Sequence, residues 1–385
     1  MLYHLAEWLK SLGLEIPGLG LMSFLSFRAM LALVLGMLIS FISGGRIIRW
    51  LRRHQIGETI RDLGLEGQMQ KKGTPTMGGI IIILAVTVSA LLVCRLDSIY
   101  TLLMLLTTLW CGGIGFADDY IKVFKHNKEG MSEKGKLVLQ FGLGLIVALT
   151  VCLSPDIHSD RLITTIPFVK AHEFDYSWLS PFSGQAGVYC SWGIYMCMII
   201  FVILACSNGA NLTDGMDGLA SGTSAIIGVA LGVTAWLSGD ALDAQYLGIM
   251  HIPGAGEVAI YMAAFVGALV GFLWYNTFPA QVFMGDSGSL AIGGIIGVAA
   301  VLVRKELLLP VLCGIFLMES LSVIIQRSWF RHTKRKYGEG RRVFLMAPLH
   351  HHFQKKGIPE PRIVTRFWII GIILAVGSLA ILKIR

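Results

Sequence analysis

The sequence predicts an all-α polytopic membrane protein with about ten transmembrane helices, and three observations lead there. Hydrophobic residues make up 55% of the 385 residues. Charged residues make up only 15%, against roughly 25% in soluble domains. Mean hydropathy is +0.69, and the apolar residues fall into runs long enough to cross hydrocarbon, which takes about 20 residues at 1.5 Å each. These features exclude a soluble globular chain, a disordered chain, a collagen-like chain and a nucleic-acid binder with a mostly basic surface.

The elements follow in order. Residues 1–21 lack a basic segment ahead of an apolar core, so no cleavable signal peptide is evident. Leu2, Leu5, Trp8, Leu9 and Leu12 recur at helical spacing, which predicts an interfacial helix lying on the membrane. Residues 22–385 form a single transmembrane domain. Its spans fall near 22–44, 76–94, 99–117, 136–153, 188–207, 217–237, 258–275, 287–303, 306–326 and 364–383. Several are rich in Gly, which lets helix backbones approach closely. The seven cysteines are odd in number and lie in or beside apolar spans without a CxxC pair. They read as small core residues, not disulfides or a zinc site. No internal repeat supports an inverted-repeat transporter.

Charge orients the chain. Segments 45–75, 118–136 and 327–366, all on one side of the spans, carry seven, five and eleven of the 32 Lys and Arg. The positive-inside rule makes that side cytoplasmic, and an even number of spans puts both termini on the outer side. The net charge of +8 is therefore mainly a topology signal.

The unusual polar residues gather on the same side. Lys71, Lys72 and Thr76 enter the second span, Asp118 and Asp119 end the third, and Asn211, Asp214, Gly215, Met216 and Asp217 follow the fifth. Asn276, Phe283 and Asp286 follow the seventh, and His350, His351 and His352 precede the last. Carboxylates near hydrocarbon are costly and mark functional sites. Five of them at membrane-helix ends call for a counter-charge, and oxygen ligands favour Mg²⁺ or Mn²⁺. The implied chemistry is phosphoryl transfer. Each motif alone also has a plainer meaning: Asp118-Asp119 as a loop cap, the Asn-Leu-Thr-Asp-Gly run as turn chemistry, the lysines as membrane anchors. Three adjacent histidines cannot all face one metal from a helix, so at most two act together.

The stretches KKGTPTMGG, FADDYIK, NLTDGMDGLA, NTFPAQVFMGDSGSLAIGG and MAPLHHHFQKKG closely resemble the phospho-N-acetylmuramoyl-pentapeptide transferases, in family order from about residue 22 onward. The resemblance implies transfer of phospho-N-acetylmuramoyl-pentapeptide from its UDP-linked form to undecaprenyl phosphate, giving lipid I and UMP. It implies Mg²⁺, ten transmembrane helices, a site open to the cytoplasm, periplasmic termini, residence in the inner membrane among its lipids, and a homodimer. By motif, Asp286 looks like the metal ligand. Asp118 looks like the group that orients or deprotonates the lipid phosphate, with Asp119 beside it. Asn211, Asp214 and Asp217 would line the nucleotide-diphosphate site, Phe283 would stack on uracil with Asn276, Gly215 and Met216 in support, and His350 and His351 would meet phosphates or the catalytic carboxylates. Lys71, Lys72, Thr76, Lys122 and Lys134 are weaker carry-overs, because neighbouring lysines leave their alignment open. Outer segments 154–187 and 238–257 look longer than the family needs. The rivals are a sister transferase moving N-acetylglucosamine-1-phosphate and a lipid transporter relaying protons through mid-span carboxylates. No pattern supports nucleic-acid binding.

Overall fold

In hydrocarbon every backbone N–H and C=O must find a partner within the protein, and apolar runs meet that demand as helices. The computed structural model describes residues 1–13, 18–54, 73–125, 129–155, 157, 162–166 and 173–382. Its helices are α1 (Leu2–Ser11), α2 (Leu25–His54), α3 (Gly79–Val93), α4 (Ile99–Phe124), α5 (Glu133–Leu153), α6 (Gly184–Thr213), α7 (Leu219–Gly239), α8 (Ala241–Leu247), α9 (Ala255–Asn276), α10 (Gly285–Leu302), α11 (Leu309–Leu312), α12 (Gly314–Tyr337), α13 (Leu349–Lys355) and α14 (Glu360–Ile381).

Among the described residues, eight helices are long and apolar enough to cross a membrane, or nine if the bent pair around Cys313 is one span. The protein is a multi-pass membrane protein. Two of the ten expected spans account for the difference. Helix α3 is apolar but has only 15 residues. The expected span 306–326 is broken, its two parts meeting at 78°. Elsewhere the helices outrun the apolar stretches: α4 continues through Asp118 and Asp119 and α6 through Asn211. Helix propensity does not end where hydropathy does.

Helix α10 is buried along nearly its whole length. It packs against α4 and α6, while α9 packs against α2 and α7. Glycines set these contacts. A Cβ on Gly115 of α4 would fall on the backbone of Asp286, and one on Gly79 of α3 on the backbone of Gly288. Helices α2 and α14 leave apolar side chains such as Met30, Ile42, Ile373 and Val376 exposed, as lipid contact requires.

The segment between α5 and α6 departs from an all-helical chain. Ile163–Thr165 and Glu173–Asp175 form a two-stranded antiparallel sheet. It is pinned by buried charged residues after α10. The Arg304 carbonyl accepts the Thr165 N–H and the Thr164 hydroxyl, both at 3.1 Å, and Lys305 Nζ donates to Thr165 Oγ1 at 2.6 Å. Backbone pairing of this kind leaves no hydropathy signal.

Helix α1 leaves Leu5, Trp8 and Leu12 exposed, while His4 Nε2 accepts the Leu96 N–H at 3.0 Å. Nearby, Arg28 Nη1 and Glu257 Oε1 form a buried ion pair at 2.7 Å, and Glu257 Oε2 accepts the Arg95 N–H at 2.9 Å. Glu257→Ala leaves a buried guanidinium unpaired and is expected to cost about 3–5 kcal/mol. A thermal melt in detergent that is unchanged from wild type would contradict this.

Candidate active site

Four helix ends build one polar cluster. The last two turns of α4 supply Asp118, Asp119 and Lys122, the first turn of α5 supplies Lys136, the last turn of α6 supplies Asn211, and the first turn of α10 supplies Asp286. Lys122 Nζ lies 2.6 Å from Asp118 Oδ2 and 3.1 Å from Asp286 Oδ2. Lys136 Nζ lies 2.9 Å and 2.6 Å from the same two oxygens. Asp118 Oδ1 accepts the Met131 N–H at 2.7 Å, and Asn211 Nδ2 donates to Asp286 Oδ1 and to Ser289 Oγ, each at 2.9 Å.

The two adjacent aspartates do different things. Residues one apart on a helix point about 100° apart, so Asp118 faces the lysines while Asp119 faces α10. Asp119 accepts the Asp286 N–H at 3.1 Å and the Ser287 N–H at 2.9 Å. It caps α10, satisfying amides that helix geometry leaves without partners and placing its carboxyl oxygens at the positive end of the dipole. The turn before α10 is tied in turn to the strap ahead of α3. Phe283 N–H donates to the Pro75 carbonyl at 2.9 Å, and Gly78 and Gly79 donate to the carbonyls of Phe283 and Met284 at 2.8 Å. Thr76 is buried beside Gly285.

Oxygens of Asp118, Asp119 and Asp286 lie within 4.8 Å of one another, close enough to hold a metal ion. The donors fit a hard divalent cation: all are carboxylate oxygens, without sulfur or imidazole. Asp119 already receives two backbone amides, whereas Asp118 receives one and the Asp286 carboxylate only side-chain donors, so Asp118 and Asp286 suit direct ligation better.

Several other motif residues also make contacts within the protein. Asp217 is buried, with its N–H donated to Glu360 Oε1 at 2.7 Å and its Oδ2 accepting the Ala280 N–H at 3.0 Å. Asn276 accepts the Gly218 N–H and the Ser221 hydroxyl and donates to the Val282 carbonyl. The Met216 side chain packs with Leu219, Ile315, Ile363, Val364 and Phe367 in a core cluster. Asp214 and Phe283 are half-buried, and Gly215 is exposed but lies against the His350 imidazole. His351 Nδ1 is 3.2 Å from Gln354 Oε1. His352 Nδ1 accepts the Leu345 N–H at 3.1 Å, and partial burial with Lys356 nearby lowers its pKa. Lys71 and Lys72 lie outside the described residues.

Comparison with known proteins adds the family. The family described as glycosyl transferase family 4 matches residues 101–304, and phospho-N-acetylmuramoyl-pentapeptide-transferase signature 1 matches residues 71–83. Proteins named phospho-N-acetylmuramoyl-pentapeptide-transferase align over 100% of both chains, at 54% identity in Parabacteroides distasonis, 52% in Flavobacterium psychrophilum and 49% in Porphyromonas gingivalis strain ATCC 33277. The chain belongs to the phospho-N-acetylmuramoyl-pentapeptide-transferase family. It is an enzyme of that class.

Within this transferase, sequence reasoning selected Lys134 where the structure brings Lys136 to the carboxylates; Lys134 is exposed on the outward side of α5. The signal was present, since Ser132 caps α5 by accepting the Gly135 N–H. The cap fixes the helical phase, and the phase places the two lysines on different faces. Lys136→Ala is expected to cut turnover by about 10²-fold or more, because it removes one of two cations between the acids. Lys134→Ala should stay near wild type. Equal losses in steady-state assays would contradict the assignment. Also missed were Ser289, which shares Asn211 with Asp286, and Glu319, which touches His350.

Proposed function

We propose that the chain transfers phospho-N-acetylmuramoyl-pentapeptide from UDP to undecaprenyl phosphate, forming lipid I and UMP, at the cluster around Asp118 and Asp286. The observation that carries the reading is the pairing of these two acids through Lys122 and Lys136. It is a charge-balanced site able to exchange carboxylate for phosphate contacts. An oxygen of the lipid phosphate attacks the β-phosphorus. A new P–O bond forms, the bond between that phosphorus and the bridging oxygen breaks, and UMP leaves with the electron pair. Asp118 orients or deprotonates the attacking phosphate. Lys122 and Lys136 offset charge that develops on the transferred group. Asn211 and the Asp119-capped turn hold Asp286 in place. Asp286, with Asp118 beside it, would hold Mg²⁺, which would supply further neutralisation of the diphosphate.

The same reading places the protein in the inner membrane with ten spans, counting α3 and the bent helix pair. Both termini are periplasmic and the site is cytoplasmic, supported by the basic residues around the site-bearing helix ends. Residues 1–21 then lie at the interface, supported by the exposed Leu5, Trp8 and Leu12. Thr76, Asp214 and Phe283 line the nucleotide side. The proposed homodimer rests on the family resemblance alone.

The test is UMP release by protein in lipid nanodiscs, given UDP-N-acetylmuramoyl-pentapeptide and undecaprenyl phosphate, with and without Mg²⁺. Release that needs both substrates and is abolished by chelation supports the proposal. Folded protein releasing no UMP ends it, and turnover of UDP-N-acetylglucosamine in its place points to the sister activity.

A further inference from the structure

Glu319 is the one acidic residue in the apolar first half of α12, and none of it is exposed. Its Oε2 lies 3.2 Å from His350 Nδ1 and accepts the His350 N–H at 3.4 Å. His350, on α13, is equally buried. The far edge of its ring, at Nε2, meets Gly215 so closely that a Cβ there would overlap it. Neither ring nitrogen of His350 nor Glu319 Oε1 has a hydrogen-bond partner among the described residues, Nδ1 meeting Glu319 Oε2 at ion-pair distance without hydrogen-bond geometry. A buried acid with one free oxygen beside a buried imidazole with no ring hydrogen bond is rare, and the pair calls for a reason beyond packing. Ionisable neighbours among the described residues include His351, whose ring centroid is 4.2 Å away, and Asp214, next to Gly215 in the chain.

A carboxylate beside one imidazole nitrogen fixes the tautomer and aims the opposite nitrogen. We infer that Glu319 is a positioning residue for the transfer reaction: it holds the proton on His350 Nδ1 and so aims Nε2 at the Asp214–Gly215 turn. From there Nε2 meets a phosphate oxygen of the nucleotide substrate. Gly215 is required at the turn because any side chain would fill the space that the ring occupies. Glu319 thereby couples α12, the helix after the 78° bend, to the phosphate side of the site. The inference rests on the transferase reading above.

The experiment compares wild type, Glu319→Ala, Glu319→Gln, His350→Ala and the double variant Glu319→Ala/His350→Ala in nanodiscs, measuring kcat, KM for the UDP-sugar and thermal midpoint. Glu319→Ala is expected to lower kcat by about 10²-fold with KM within a few-fold of wild type. Glu319→Gln, whose amide can donate to Nδ1 and so favour the wrong tautomer, should lose kcat at least as much as Glu319→Ala while keeping the shape of the side chain. The double variant should be no slower than His350→Ala alone, because Glu319 then has nothing to position. Additive losses in the double variant, or a Glu319→Gln variant with wild-type kcat, overturn the inference. So does a wild-type kcat in Glu319→Ala. Should the alanine variant fail to fold, the glutamine variant in the wild-type and His350→Ala backgrounds gives the same coupling: a loss only where His350 is present supports the inference, and equal losses overturn it. Absence of UMP release by the wild type is a different result and bears on the transferase reading itself.

Discussion

Asp286→Ala is expected to give a folded protein whose UMP release falls by about 10³-fold or more. The carboxylate is the point where three elements converge: Lys122 from α4, Lys136 from α5 and Asn211 from α6 all contact it. Its removal takes away the proposed metal ligand and leaves two cations sharing Asp118 alone. Asp286→Asn separates charge from shape. The amide can still meet Asn211, but it cannot balance the lysines or bind a divalent cation tightly. Both variants should therefore be inactive, with the Asn variant nearer wild type in thermal midpoint. Single-turnover UMP release with saturating Mg²⁺ is the measurement. An Asn variant retaining a tenth of wild-type activity would remove Asp286 from the centre of the mechanism.

Gly115→Ala is expected to have the next largest effect, though it removes no chemical group. The new methyl would fall on the backbone of Asp286, which cannot rotate aside as a side chain can. Helices α4 and α10 must separate, at a cost of about 1–3 kcal/mol for overpacking. A displacement of roughly 1 Å between Asp118 and Asp286 is worth about 10²-fold in rate. Gly113 is the control, because a Cβ there meets nothing within 4 Å, so Gly113→Ala should be silent. Comparable turnover in the two variants would mean that the α4–α10 contact does not set the spacing of the acids.

Much of this was legible in the sequence, and the failures have physical causes. Apolar runs placed the helices because lipid leaves the backbone no other choice. Hydropathy reports burial in hydrocarbon and not helix continuity. It therefore stopped short of Asp118, Asp119 and Asn211, which lie within α4 and α6, and it ran on through the bend at Cys313. The acids announced themselves because charge near lipid is costly. Their division of roles did not: Asp118 and Asp119 are identical in composition, and only the direction of each side chain separates the one that meets lysines from the one that caps α10. The Asp217 and Asn276 side chains look like substrate ligands in a motif. In three dimensions, the contacts found for them hold the loop around Ala280 and the start of α7. The long-range pairing of Glu319 with His350 is invisible in either segment, and Glu319 carries no local pattern at all.

The capping of α10 by Asp119 has a consequence for how such a centre tolerates change. The neighbouring acid is held to its place by the same turn of helix that grips α10, so the two cannot be adjusted separately. Rotate α4 by one residue and the clamp becomes the reactant, the reactant becomes the clamp, and neither fits. The centre thus behaves as a key cut from a single blank, in which the teeth keep their spacing because no tooth can slide. Variation that retunes this enzyme has to come from the surrounding straps and loops, leaving the α4–α10 pair as it is.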